Sequence, residues 1–272
     1  MAFIENNENG LVYMTSSVIG ARHAFTTRYG GVSEGIFSSL NLGSNRGDDP
    51  AAVRENYRRV CALMGAGIDE AAVTKQVHGA VVRCVTEEDR HVCMSAVPYE
   101  ADGLVTAVRG LPIMCFTADC VPALLCETDA GVIAAVHCGW RSSVGDILKN
   151  AVEAMEKLGA RRERICCALG PAIGRCCFET DDDVPDAVEK YLGGDAEGLF
   201  VRRADGKTLV DLRAANRRRL LQLGLREENV DVSEECTFCS HDKYWSHRYT
   251  RGQRGSQASV IVLSEKDIEV KE

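Results

Sequence analysis

Long apolar runs are missing from this chain. The longest, at 121–126 and 131–136, fall far short of the ~20 residues a membrane-spanning helix needs. No membrane segment is therefore expected. The first ten residues, MAFIENNENG, lack both a basic n-region and an apolar h-region, so no signal peptide is expected either. No fixed-period repeat or low-complexity linker divides the 272 residues, which favours one domain over 1–272. Excess positive charge is also missing. The formal net charge of −8 argues against non-specific nucleic-acid binding as the main task, although local basic clusters can still hold a small anion.

Cysteine is plentiful, at thirteen residues. The count is odd, Cys166-Cys167 and Cys176-Cys177 are adjacent pairs, and Cys84, Cys115 and Cys126 sit inside apolar runs. This is not a disulfide framework. Without a secretion signal, the simplest reading is reduced thiols used mostly as small hydrophobes in a cytoplasmic protein.

Short apolar runs that read as strands recur at 18–25, 80–85, 103–107, 113–117, 121–126, 132–137, 165–169, 208–210 and 258–263. Helical periodicity is confined to a few segments. One opens at Asp49-Pro50, an N-cap with proline at N1, and puts Val53, Tyr57, Val60, Cys61 and Met64 on one face. A second starts near Ser142 or Ser143 and stops at Gly159, a third runs from Asp211 to Gly224, and a weaker one covers 183–192. Thr128-Asp129-Ala130-Gly131 between two apolar runs signals a hairpin. Strands outnumber helices and turn tightly, so the expected fold class is α+β with mixed, largely antiparallel sheets packed with helices.

Two of the six histidines stand out. His78 and His137 each end an apolar run and are followed closely by glycine, which lets the backbone turn away and leaves the imidazole facing a cavity. Cys120 lies between two further runs, where loops gather and sites form. Imidazole and thiolate are the donors that zinc prefers, and three protein ligands leave a fourth position for water or substrate. Separations of 42 and 17 residues do not by themselves distinguish a metal site from two core histidines and a buried thiol.

The local sequences add a resemblance. Gln76-Val77-His78-Gly79, Ala101-Asp102-Gly103, Thr117-Ala118-Asp119-Cys120 and His137-Cys138-Gly139-Trp140-Arg141 are similar, in order and context, to the laccase-domain or YfiH-type family. Gly170-Pro171-Ala172-Ile173-Gly174 with Cys177-Phe178-Glu179, Asp211-Leu212 with Asn216, Cys236-Thr237 and Ser246-His247-Arg248 look like its remaining blocks. The match runs from about 20 to 265.

The resemblance implies a zinc held by His78, Cys120 and His137, with copper as the other candidate metal. It also implies an enzyme acting on purine nucleosides and phosphate: phosphorolysis of adenosine, inosine and methylthioadenosine, with adenosine deamination as a further activity. Other labels attached to the family are copper-dependent polyphenol oxidase and cell-wall peptide editing. A distant relationship to cysteine hydrolases makes Cys120 a nucleophile in an alternative reading. No His-x-His pair occurs, so a multicopper site is not expected. The His-x-Glu with Pro-Cys-x-x-Cys signature of cytidine-type deaminases is absent too.

Phosphorolysis needs an anion site, for which Arg141 and Arg248 are the candidates, since guanidinium binds phosphate bidentately. Asp119 is a general base if the strand has ended beside Cys120 and a supporting group if it has not. Gln76 is a candidate substrate contact, while Cys138 faces away from His137 and packs. Tyr249 and Ser256 stand where the family pattern usually carries arginine, which weakens phosphate assignments there. Cys236 and Cys239 form a lone Cys-x-x-Cys with no second pair at matching spacing, so metal is not expected at them. The sequence leaves the oligomeric state open.

Overall fold

Short strands with two apolar faces can bury both only if sheets stack between helices. The computed structural model, which describes residues 3–264, does this in four layers. The expected domain, 1–272, extends beyond the described residues at both ends. In chain order the elements are β1 (Phe3–Glu8), β2 (Leu11–Ser16), β3 (Arg22–Thr26), α1 (Pro50–Leu63), β4 (Val82–Cys84), β5 (Gly103–Thr106), β6 (Ile113–Thr117), β7 (Val121–Glu127) and β8 (Val132–Cys138). Then come α2 (Trp140–Val144), α3 (Ile147–Lys157), β9 (Cys166–Leu169), β10 (Glu179–Thr180), α4 (Asp183–Leu192), β11 (Phe200–Arg202) and β12 (Thr208–Val210). The chain continues through α5 (Leu212–Gln222), β13 (Val230–Val232), α6 (His247–Thr250) and β14 (Gln257–Val262).

One sheet runs β1-β2-β3-β14-β6, all antiparallel. The other large sheet runs β13-β9-β7-β8-β5-β4, antiparallel in the middle and parallel at its two edges. A small antiparallel sheet, β10-β12-β11, completes the α+β fold anticipated from the sequence.

Strand alternation sorts the core. Val121, Ala123 and Leu125 of β7 and Val132, Ala134, Val136 and Cys138 of β8 pack with Ile147, Leu148 and Leu220 on the helical side. Their neighbours Leu124, Cys126, Ile133 and Ala135 join Phe25, Ile113 and Cys115 between the two sheets. Met114, Ala258 and Val260 on the outer face of the first sheet pack with Val53, Tyr57 and Val60 of α1. Cys138 therefore packs away from His137, as expected from alternation. Burial pushes its thiol well above the usual value.

Asp49 caps α1 by accepting from the Ala51 amide, with Pro50 at the first helical position. Several elements differ from the sequence reading, among them β10, β11, β13 and α6, which were not expected. The N-terminal hairpin β1–β2 was not anticipated, although Asn9 and Gly10, at φ of 52° and 85°, form the left-handed pair that a two-residue hairpin turn needs. The helix expected to start near Ser142 breaks at Gly145-Asp146. Asp146 adopts φ of 68°, and its carboxylate accepts hydrogen bonds from Tyr191 and Arg219, tying α3 to α4 and α5.

Candidate active site

The chain passes from the first sheet to the second between β6 and β7, and this crossing carries Cys120. Asp119 takes φ of 87° there, which turns the chain sharply enough for Val121 to pair with Cys138 in the next sheet. His137, at the end of β8, points into the space between the sheets opposite Pro122. His78 arrives from a loop ahead of β4 and is itself left-handed, at φ of 59°. The histidine, and not the glycine after it, absorbs that turn.

The metal-ligating atoms of His78, Cys120 and His137 lie within 4.8 Å of one another. The two imidazoles meet edge to face, with ring centroids 4.8 Å apart. Burial deepens from exposed His78 through half-buried Cys120 to buried His137, so one side of the group faces open space. Gly139 sits against all three. A Cβ there would lie 3.0 Å from His78 Cδ2 and 3.5 Å from both Cys120 Sγ and His137 Cε1.

Asp102 organises both histidines. This carboxylate is wholly buried; Oδ1 accepts from the His78 amide at 2.9 Å and pairs with His137 Nδ1 at 2.8 Å. Oδ2 accepts from the amides of Val77 and Gly79 at 3.0 and 2.8 Å. Burial pushes the Asp102 pKa up, but His137 and these amides outweigh it and hold the carboxyl below its usual value. The Nδ1 contact leaves His137 Nε2 for the shared centre, the arrangement by which a carboxylate fixes the orientation of a metal-binding imidazole. Burial opposes ionisation of Cys120, yet the two histidines bring its thiol down to about 6. Burial likewise opposes charge on His137, while Cys120 and Asp102 raise it to about 9.

The open side leads into a cavity of about 700 Å³. Tyr57, Val73 and Phe116 form an apolar wall, and Arg46 and Arg254 line another part of it. Arg254 Nη1 donates to the Gly255 carbonyl and the Ser256 hydroxyl, while its buried Nε has no partner among the described residues. Burial and the neighbouring Arg46 charge lower the Arg254 pKa to about 10. A half-buried guanidinium beside a second one, with a donor unused, is suited to an anion.

Of the residues singled out in the sequence, His78, Cys120, His137 and Gln76 line this cavity. The Gln76 side-chain amide is bonded at both ends to the Phe116 backbone, at 2.7 and 2.8 Å, and so ties its loop to β6. Arg141 lies outside the lining and stacks over Trp140. Arg248 also lies outside it and donates to the Glu179 carbonyl. Asp119 is buried, and its two oxygens accept from the Thr237 hydroxyl and the Arg248 amide at 2.7 and 2.6 Å. The strand has indeed ended there, but the carboxylate holds two loops together. Asp102, Arg46 and Arg254 were not assigned roles from sequence. The Ala101-Asp102-Gly103 block flagged the first, and no motif marked the other two.

The matching family model is described as multi-copper polyphenol oxidoreductase laccase and covers residues 22–264. Among the described residues, the only histidines in a metal-competent group are His78 and His137. A protein from Deinococcus radiodurans named purine nucleoside phosphorylase is 38% identical over 260 residues, 95% of each chain. One named adenosine deaminase RL5, from an unknown prokaryotic organism, is 36% identical over 229 residues, 83% of this chain and 87% of its own. The crystal structure of YlmD from Geobacillus stearothermophilus superposes with a TM-score of 0.90 at 34% identity, covering 97% of this chain and all of YlmD. By sequence and fold together, the chain belongs to the laccase-domain family of enzymes that its histidine and cysteine motifs resemble.

Proposed function

We propose that the chain is a zinc-dependent purine nucleoside phosphorylase, carried by a single domain over 1–272. It would convert adenosine, inosine and methylthioadenosine with phosphate into free base and the 1-phosphate of the sugar, with adenosine deamination as a secondary activity. The observation that carries this reading is one cavity joining the His78–Cys120–His137 group to the Arg46–Arg254 pair. The names of the relatives, phosphorylase and deaminase, give the same chemistry.

The donor set fits zinc. Two imidazoles and a thiolate suit a borderline-soft divalent ion, and the absence of a Cβ at Gly139 spares the His78 ring a 3.0 Å contact. Copper would accept the same donors. A metal bound there supplies Lewis acidity towards an oxygen of the substrate. The chain's own residues do the rest. Arg46 and Arg254 take phosphate and orient it for attack at C1′ of the sugar. The wall of Tyr57, Val73 and Phe116 receives the flat purine. Asp102 holds His78 and His137 in register throughout.

A second reading rests on one observation: Cys120, His137 and Asp102 also form a thiolate–imidazole–carboxylate series, the arrangement of a cysteine hydrolase. A nucleophile needs one imidazole, whereas both His78 and His137 are directed at the Cys120 sulfur, which favours the metal. The deciding experiment is adenosine turnover with and without phosphate, on metal-quantified wild type and on His78→Ala. Sugar 1-phosphate formed only with both phosphate and metal is the expected result. Undiminished turnover by demonstrably metal-free protein overturns it.

A further inference from the structure

Two loops that take no part in the cavity bring four thiols together. Cys176 and Cys177 follow the turn after β9, and Cys236 and Cys239 lie in the turn after β13. All four sulfurs lie within 4.8 Å of one another. Cys239 Sγ is 3.7 Å from Cys176 Sγ and 3.4 Å from Cys177 Sγ. Sulfurs arranged tetrahedrally ~2.3 Å from a zinc ion stand ~3.8 Å apart, whereas a disulfide brings two sulfurs to ~2.05 Å. The spacing, across four sulfurs at once, fits a shared ion and is too long for a disulfide.

Backbone donors converge on one of the four sulfurs. Cys236 Sγ accepts from the Gly174 amide at 3.2 Å and from the amides of Phe238 and Cys239 in its own turn. A zinc with four thiolates carries a net negative charge. The Arg213 guanidinium, fixed by the carbonyls of Ser233 and Glu235, lies beside Gly174 close to Cys176. A Cβ at Gly174 would fall 2.9 Å from Arg213 Nη2 and 3.2 Å from Cys176 Sγ.

We propose that Cys176, Cys177, Cys236 and Cys239 bind a second zinc ion in a closed, structural four-thiolate site. The site shares no residue with the His78–Cys120–His137 group, and the proposal does not rest on the nucleoside reading. Four protein ligands leave no open position, so the ion clamps and does not catalyse. What it clamps bears on the cavity. Thr237, between the two cysteines of the turn, bonds the Ala172 carbonyl through its amide and Asp119 through its hydroxyl. Ile173 in turn donates to the Asp119 carbonyl. The ion would thus hold the two loops that support the residue next to Cys120.

The test uses the full chain, purified under reducing conditions, saturated with zinc and freed of excess by gel filtration. Metal content should be two zinc per wild-type chain, one in Cys239→Ser, one in His78→Ala and none in the double variant. In His78→Ala, cobalt in place of zinc should give the strong sulfur-to-cobalt absorption of several thiolates, lost when Cys239→Ser is added. A His78→Ala protein that takes up no metal, or a Cys239→Ser protein that keeps two, overturns the proposal. Should Cys239→Ser fail to fold, alkylation of the wild type mapped by mass spectrometry decides. Zinc should protect all four cysteines and a chelator should expose them. Equal labelling with and without zinc, or protection that yields to a reductant and not to a chelator, refutes the site.

Discussion

Replacing Asp102 by asparagine removes one charge and almost no volume, so its effect measures what the carboxylate does. The two oxygens accept four contacts: the amides of Val77, His78 and Gly79 and the His137 ring. In either orientation, the new NH2 faces two of these donors. Each lost hydrogen bond to a charged acceptor is worth ~1.5–3 kcal/mol, and breaking a buried ionic contact costs about 3–5 kcal/mol in all. Asp102→Asn should therefore unfold roughly 6–15 °C lower than wild type, by calorimetry on metal-free protein. Zinc affinity, measured by chelator competition, should fall about 10–100-fold, because His137 loses the partner that fixes its ring. The folded Asp102 carboxyl titrates below its usual value, so its contribution is present above the unfolded pKa of 3.8 and is lost as pH falls through the lower folded value. The gap between wild type and variant should accordingly close below about pH 4. A melting temperature within ~2 °C of wild type at pH 7, with zinc affinity retained, would refute the role given to Asp102.

Three further outcomes follow from the same geometry. Gly139 has φ of −66°, which alanine tolerates, so Gly139→Ala should keep its fold but displace the His78 ring and weaken zinc about tenfold; unchanged affinity counts against the three-residue centre. In metal-free protein, alkylation of Cys120 by iodoacetamide should accelerate as pH rises through about 6, where its thiolate forms, and zinc should suppress it; acceleration only near the ordinary thiol pKa would refute the pairing with His137. Arg254→Met should raise the KM for phosphate by about 10–100-fold with little change for nucleoside, through loss of a charge-assisted contact, whereas Arg141→Met should leave both near wild type. The reverse pattern, read from initial rates, would return the anion site to Arg141.

Much of the fold was legible because alternation is a local signal. The strand expected at 113–117 is β6 without a residue's change, and the Thr128–Gly131 turn joins β7 to β8. The hairpin β1–β2 was missed because its first strand, FIENNE, is mostly polar and exposed and offers no apolar partner for LVYMTS; the signal that joins them is Asn9-Gly10. The break between α2 and α3 has no periodic signature either. It depends on Asp146 meeting Tyr191 and Arg219, contacts of 45 and 73 residues' separation that no window over the sequence contains.

The same distinction explains the site. His78, Cys120 and His137 could be singled out because each carries a local mark, a chemistry-bearing residue at the end of an apolar run. Arg254 carries no such mark. It differs from Arg141 and Arg248 in lining the cavity, and that depends on β14, which it precedes, lying between β3 and β6. Cys236 and Cys239 mislead in the opposite direction. Spacing rules seek a second Cys-x-x-Cys, but a tetrahedron needs four sulfurs in space, and the adjacent pair Cys176-Cys177 supplies two of them. The loops meet because β13 lies parallel to β9, so the segments leaving both strands emerge at the same edge, where Cys236 pairs with Ala172. A parallel pair brings the ends of its two strands together whatever their distance in sequence. Cys115, Cys138 and Cys167, inside strands, are buried packing groups, whereas Cys120 and the four cysteines of the two loops lie past strand ends and gather donors.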